Sequence, residues 1–179
     1  MKSRLFTGIA VFGLAATMVA QNLDYKFKST EGGFSVKMPG KPVFSTGKNT
    51  YDGSTVKIYS SITLTRMYRA FYEPYTPEIK KIIAHVNWHD TNNAEVKRLF
   101  DTAIPKMLKS FPNAKVVYSN DGVVDGFPSR AAVIESSGKR VYLEFLITKK
   151  SIIGVFVGAD AADRDLASIQ EFLDTLHVI

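Results

Sequence analysis

Two histidines and a neighbouring aspartate are the first candidates for chemistry in this sequence. His85 and His89 are four residues apart, and Asp90 follows directly. Histidines at positions i and i+4 of a helix share one face, which is the spacing of a zinc-binding helix. Val86 occupies the position where a metalloprotease of this pattern carries its glutamate base. The segment predicts either a metal-dependent hydrolase site using His85, His89 and Asp90 or surface histidines at a turn between helices.

Three aspartates near the C-terminus, Asp160, Asp163 and Asp165, raise the question of calcium. An EF-hand loop needs a glycine at its centre, and the only glycine beside these aspartates is Gly158, which precedes all three. Acidic residues before a helix bond its free N–H groups and complement its dipole. We therefore expect these aspartates to cap a helix.

An aromatic stretch is the candidate for binding rather than catalysis. Successive side chains of a strand lie on opposite faces, so some members of the stretch must leave the core. With Arg66 and Arg69 nearby, an exposed group would bind a ligand or partner by stacking and cation–π contact. The alternative is that these rings belong to the core. The stretch comprises Tyr68, Phe71, Tyr72, Tyr75 and Trp88, of which Tyr72, Tyr75 and Trp88 are the predicted partner contacts.

Other routes to catalysis have no sequence support. The chain has no cysteine and only three histidines, and it contains no G-x-S-x-G, P-loop or dinucleotide-binding pattern. We therefore predict a protein that is not an enzyme and that carries no cofactor.

Alternating apolar residues predict the strands. The clearest runs are 34–38 and 55–66, with Val56, Ile58, Ile62 and Leu64 on one face of the second, followed by a strand over 67–73. Four further strands are predicted over 114–119, 129–135, 140–148 and 152–158. The gaps between them, beginning with Asn120-Asp121-Gly122, have hairpin length and predict a meander.

Helical spacing predicts two pieces over 78–111, a closing helix over 160–174 and a last short strand over 176–179. Asp90 or Thr91 is the expected N-cap of the longer piece. Its apolar stripe consists of Val96, Leu99, Phe100, Ala103, Ile104, Met107, Leu108 and Phe111. This order of elements predicts an α+β fold, a central antiparallel sheet with helices packed on it.

The N-terminus predicts export. Lys2 and Arg4 precede an uncharged apolar run, and small residues follow, which is the pattern of a signal peptide over residues 1–20. We expect cleavage after Ala20, although Met18 stands where a small residue is usual. The alternative is an uncleaved membrane anchor, but a transmembrane helix takes about 20 apolar residues and the polar segment begins at Gln21. Because cysteine is absent, a lipid anchor on a cysteine is excluded.

Cleavage would leave residues 21–179 as a single domain, soluble in the periplasm or outside the cell. The net charge of +6 would fall to +4. The remaining lysines and arginines are scattered, whereas a nucleic-acid-binding protein concentrates them on one patch. We therefore expect no nucleic-acid partner and no stable membrane insertion after cleavage.

Three short motifs resemble exported bacterial proteins of the PsbP-like group. Residues 32–42 read GGFSVKMPGKP, similar to the group's opening strand and turn. Residues 125–130 read DGFPSR, similar to its G-x-P-G-R turn with Ser129 replacing the glycine, and residues 169–176 resemble its closing F-L-D-S-F. The resemblance implies an αβα sandwich and a non-catalytic accessory or binding role. It carries over no catalytic residues.

Three functions follow from these observations. The first is an exported, non-catalytic module of the cell envelope that binds a protein or an envelope component. The second is the metal-dependent hydrolase described above. The third is a small-molecule carrier with a pocket between the sheet and the helices.

Overall fold

The computed structural model of the chain describes residues 22–49, 53–88, 90, 93–109 and 111–179. The predicted signal peptide lies outside this range. Ten strands and three helices are found in the described residues. The strands are β1 (Tyr25–Ser29), β2 (Phe34–Met38), β3 (Val43–Lys48), β4 (Thr55–Ile62), β5 (Arg66–Pro74), β6 (Lys115–Val124), β7 (Phe127–Ser136), β8 (Lys139–Ile147), β9 (Ser151–Asp160) and β10 (His177–Val178). The helices are α1 (Pro77–Ile83), α2 (Ala94–Leu108) and α3 (Leu166–Asp174).

Seven strands form one antiparallel sheet in the order β3-β4-β5-β9-β8-β7-β6. The predicted meander from β6 to β9 is therefore confirmed. Its first turn is Asp125-Gly126 and not Asn120-Asp121-Gly122, which pairs with β7 as part of β6. Asp125 and Gly126 have φ values of 49° and 82°, as a two-residue type I′ hairpin turn requires.

The remaining strands form a second antiparallel sheet in the order β1-β2-β10. This small sheet and α3 cover one face of the large sheet, and α1 and α2 cover part of the other. The first core contains Phe34 of β2, Tyr68 of β5 and Phe172 of α3. The second contains Phe100 of α2 and Phe145 of β8. Both faces of the central strands are thus buried.

The predicted α+β class is wrong. The described residues are mainly β, with two antiparallel sheets and short helices, so the architecture is closer to a β-sandwich than to the αβα sandwich that the resemblance implied. The central antiparallel sheet itself was predicted. The second sheet that covers it was not predicted, because this sheet depends on the pairing of β2 with the C-terminal β10, which are far apart in the sequence.

The strand predicted over 55–66 is two strands. β4 ends at Ile62, and the chain turns so that Thr63 N–H donates to the carbonyl of Arg66 at 2.9 Å. Ile62 and Leu64 are exposed at this turn, so neither lies on the buried face where the alternation placed them. Period-two spacing cannot distinguish a strand from a strand that continues into a hairpin turn.

Each of the three described helices has a polar side chain as its N-cap. Thr76 caps α1, and Asp165 caps α3 by accepting from Ser168 N–H at 3.2 Å. Asn93, and not Asp90 or Thr91, caps α2 by accepting from two backbone N–H groups. The closing helix therefore begins six residues later than the predicted residue 160, because residues before Asp165 form a loop. None of the described helices is long and apolar enough to cross a membrane.

Candidate functional site

A cavity of about 340 Å³ lies where the helical layer stops covering the large sheet. α2 packs over β7 and β8, and the sheet continues beyond it through β5, β4 and β3. The cavity occupies the angle between α2 and these strands. Its lining comprises Gly47, Lys48, Asn49, Val56, Ile58, Arg69, Phe71, Glu73, Ile79, Leu99, Phe100, Thr102, Ala103, Phe111, Phe145, Ile147, Ile152 and Phe156.

The alternation of β5 gives the cavity its chemistry. Arg69, Phe71 and Glu73 line the cavity, while Tyr68 and Tyr72 belong to the core on the other face of the sheet. This follows from the period of two in a strand. Three residues of one strand therefore supply a cation, an aromatic ring and an anion along the cavity wall.

Gly154 of β9 provides room for the rings beside the cavity. It pairs with Phe71 on one side and with Phe145 on the other. The two rings meet over it edge to face, with centroids 5.7 Å apart. A Cβ atom at position 154 would lie 2.2 Å from Phe71 Cζ, so any side chain there must displace that ring.

The two ends of the cavity differ in charge. At one end, Glu73 already accepts hydrogen bonds from Asn49 Nδ2, at 2.9 Å, and from the Ser54 hydroxyl. Lys48 at the rim is exposed, and its Nζ donates to Thr55 Oγ1 at 2.7 Å. One carboxylate oxygen of Glu73, Oε1, is thus bound by the protein itself.

At the other end, Arg69 is half-buried. Its Nε–H donates to Ser60 Oγ at 3.1 Å, and its guanidinium carbon lies 5.5 Å from the centroid of the Phe156 ring. No carboxylate among the described residues pairs with it. A guanidinium has five N–H donors, so most of those of Arg69 have no protein acceptor in the described chain.

This arrangement suits binding. Small-molecule sites are concave, mainly apolar and about 300–1,000 Å³ in volume, with a few polar groups that orient the ligand. The described lining is mostly aliphatic and aromatic, and its charged groups are Lys48, Arg69 and Glu73. Among the described lining residues there is no serine, cysteine or histidine. The site can therefore hold and orient a molecule with an apolar body.

Comparison with solved structures identifies the fold. The solution structure of cyanobacterial PsbP (CyanoP) from Synechocystis sp. PCC 6803 matches with a TM-score of 0.57 and 12% sequence identity, over 94% of this chain and 99% of that chain. The chain has a PsbP-like fold. A Pseudomonas aeruginosa protein of unknown function, PA94, described as a putative regulator, matches with a TM-score of 0.42 and 9% identity, over 78% and 84% of the two chains. No protein-family model and no curated protein matches the sequence.

The PsbP-like fold buries two of the three predicted partner contacts. Tyr72 is 1% exposed and meets Phe34 edge to face. Tyr75 is 5% exposed, and its hydroxyl donates to the carbonyl oxygens of Thr148 and Ser151 at 2.6 and 2.9 Å. The prediction that these tyrosines form a contact surface is therefore wrong, because the alternation of the strand sends Tyr72 into the core and the hydroxyl of Tyr75 is bound by backbone.

Trp88 lies apart from the cavity, at another place in the PsbP-like fold. It is half-buried, and its ring meets Phe127 edge to face at 5.7 Å. It lines a shallow depression together with Tyr75 and three lysines, Lys80, Lys149 and Lys150. Of the predicted partner contacts, Trp88 alone keeps part of its ring accessible.

The predicted metal site is only partly described. His85 and Asp90 are exposed, and His89 lies outside the described residues. The described residues contain no group of three or more metal-ligating side chains. The set of His85, His89 and Asp90 therefore stays a prediction.

The C-terminal aspartates have structural partners. Asp165 is the α3 cap, Asp160 pairs with Lys139 at 3.1 Å, and Asp163 accepts two hydrogen bonds from Arg66 at 2.6 and 2.8 Å. Capping was expected for all three and is found for Asp165. The sequence did not indicate the bond to Arg66, whose side chain is nearly fully buried.

Arg69 was noted in the sequence only as a neighbour of the aromatic stretch. Within the protein, its guanidinium lies over the ring of Phe156 of β9, a residue outside that stretch. The signal that could have found the cavity was the alternation Arg69-Phe71-Glu73 on one strand face. This pattern alone does not indicate a cavity, because the opposite wall is formed by α2, whose position the sequence does not give.

Proposed function

We propose that the protein is an exported, non-catalytic binding module whose ligand site is the cavity between α2 and the β3–β4–β5 half of the large sheet. The observation that carries this proposal is the apolar, partly open cavity itself. Phe71, Phe111 and Phe156 are only half-buried around it, so they keep apolar surface accessible to water. Transfer of such surface to contact with an apolar ligand is favourable.

The ionic groups in the rest of the described chain support binding over catalysis. Arg66, Arg130 and Arg140 each donate to carboxylates on other elements or on a neighbouring strand. These pairs join parts of the fold and lie outside the cavity lining. They serve to hold the scaffold around the cavity.

The test of the ligand site uses an uncharged fluorescent dye, N-phenyl-1-naphthylamine, whose emission rises in apolar surroundings. We expect the wild-type protein to bind it and Gly154→Ala to weaken binding by at least about tenfold, because the new Cβ pushes the Phe71 ring into the cavity. Ala103→Leu on α2 fills the same space from the helix side and should have the same effect. Fluorescence titration gives the dissociation constants.

Gly158→Ala is the matched control. Gly158 lies on β9 as Gly154 does, but a Cβ there would be 3.5 Å from Met67 Cε, an ordinary contact. This variant should bind the dye like the wild type. The ligand site is wrong if the wild type does not bind the dye, or if both cavity variants, shown to be folded by circular dichroism, bind it unchanged.

Export is tested with the full chain expressed in a bacterium. We expect the exported fraction to contain protein that starts at Gln21, because the apolar run of residues 1–20 directs translocation and is then removed. Val11→Asp interrupts that run and should keep the chain inside the cell at full length, whereas Val11→Leu should be exported normally. Cell fractionation and intact mass measure both results, and full-length wild type confined to the cytoplasm would contradict export.

A further inference from the structure

We infer that the cavity binds a small amphipathic carboxylate, with its anionic head on Arg69 and its apolar body against the phenylalanines. This inference rests on the proposed function, since it names the class of ligand for the same cavity. It depends on three observations: the lack of an ionic partner for Arg69 among the described residues, the orientation of its guanidinium, and the size and charge of the cavity.

Arg69 differs from the other arginines that are shielded from water in the described chain. Arg66 bonds Asp163, Arg130 bonds Asp101 and Asp121, and Arg140 bonds Glu135. Arg69 is half-buried like Arg130 and Arg140, yet among the described residues its side chain is paired with Ser60 and the Phe156 ring alone. A shielded charge without a counter-charge is costly, so an anion that reaches Arg69 gains more than it would at an exposed cation.

The geometry leaves the two terminal nitrogens of Arg69 available to a ligand. Its Nε–H is held by Ser60 and its guanidinium lies over the Phe156 ring, which fixes the side chain in the cavity wall. The two terminal nitrogens have no acceptor among the described residues. A planar guanidinium pairs with a carboxylate through two parallel hydrogen bonds, and little side-chain freedom remains to be lost here.

The rest of the cavity sets the direction and size of the ligand. An anionic head is repelled at the other end by Glu73, whose carboxylate is already bound to Asn49 and Ser54. The space between these ends is lined mainly by aliphatic and aromatic side chains. A volume of about 340 Å³ lies at the lower end of the range for small-molecule sites, which favours a single alkyl chain or aryl group over a two-chain lipid.

The experiment compares displacement of N-phenyl-1-naphthylamine by decanoate and by decanol at neutral pH. The two competitors share an alkyl chain and differ in the head group. We expect the ratio of the decanol to the decanoate inhibition constant to fall by at least about tenfold in Arg69→Met, because the variant loses charge-assisted hydrogen bonds to the carboxylate. The affinity of the uncharged dye should stay within about threefold, since the apolar wall is intact.

Two further variants make the result specific. Lys28→Met removes a positive charge outside the cavity lining and should leave the ratio unchanged, because Lys28 of β1 is exposed and its charge is screened by water. Arg69→Lys keeps the charge but not the planar fork, and should give an intermediate ratio. It also provides the comparison if Arg69→Met does not fold.

The possible outcomes separate the two proposals. If the dye binds and the ratio is the same in the wild type and in the folded Arg69 variants, the carboxylate inference is overturned and the ligand site stands. An equal fall in Lys28→Met overturns it as well, because the effect would then be one of net charge. If the wild type does not bind the dye at all, the proposed function itself fails.

Discussion

Replacing Arg66 by methionine should lower the free energy of unfolding by about 3–5 kcal/mol at neutral pH. Arg66 is 5% exposed and donates to both carboxylate oxygens of Asp163, to the Ser168 hydroxyl and to the backbone carbonyl of Asp165. Methionine fills a similar space but leaves the two carboxylates at the start of α3 without their cation. Chemical denaturation followed by circular dichroism measures the difference.

The effect should depend on pH. Hydrogen bonds from Arg66 hold the pKa of Asp163 below its usual value. A lowered pKa in the folded state stabilises the fold above the unfolded pKa of about 3.9, and this stabilisation is lost as the pH falls through the lower folded value. The difference between wild type and Arg66→Met should therefore be full at neutral pH and shrink below about pH 4.

Arg140→Met is the matched control for Arg66. Arg140 also bonds a carboxylate, that of Glu135. Unlike the Arg66 side chain, these two side chains are 29% and 25% exposed to solvent. An exposed pair of this kind contributes about 0–1 kcal/mol, because water screens it. Equal losses in Arg66→Met and Arg140→Met would show that burial of the Arg66 pair has no special role.

Phe172→Ala should lower the free energy of unfolding by about 3–5 kcal/mol, the range for phenylalanines removed from a core. Phe172 on α3 is fully buried, and its ring meets Tyr68 of β5 edge to face with centroids 5.0 Å apart. The variant loses this contact and leaves a void between α3 and the large sheet. Urea denaturation at neutral pH measures the loss.

Phe44→Ala removes the same side chain from an exposed position. Phe44 of β3 is 54% exposed, so its truncation should change the stability by less than about 1 kcal/mol. A loss in Phe172→Ala no larger than that in Phe44→Ala would contradict the placement of α3 on the sheet.

Local rules predicted much of the fold. The apolar stripe of α2 faces the second core through Val96, Phe100 and Ile104, and the alternation of β8 puts Leu143 and Phe145 into the same core. These features follow from the helical and strand periods alone. The order of the C-terminal meander followed from the short gaps between its strands.

Where local rules offered two answers, long-range pairing decided between them. Asn120-Asp121-Gly122 and Asp125-Gly126 both have turn composition, and the register with β7 selects the second. The sandwich architecture likewise depends on β10 joining β2, which only the folded chain brings together. Composition and residue spacing do not show which distant strands pair with each other.

The candidate site was less predictable than the fold. Spacing drew attention to His85 and His89 and to the aromatic residues Tyr72 and Tyr75, while the cavity is built around Arg69 and Phe71. The sequence does not show whether a tyrosine is accessible, because this depends on which face of the sheet its strand position occupies. That Arg69 has no ionic partner among the described residues became visible only once the folded structure showed which carboxylates the other buried arginines bond.

Gly154 also offers a way to compare related chains without measuring anything. Gly154 lies between Phe71 and Phe145, and only a residue without a Cβ leaves the Phe71 ring where it is. A relative with alanine or a larger residue at the equivalent position would keep the same strand order and lose the open space. Under the proposed function, the residue at this position separates chains that can hold a ligand in this cavity from chains that cannot.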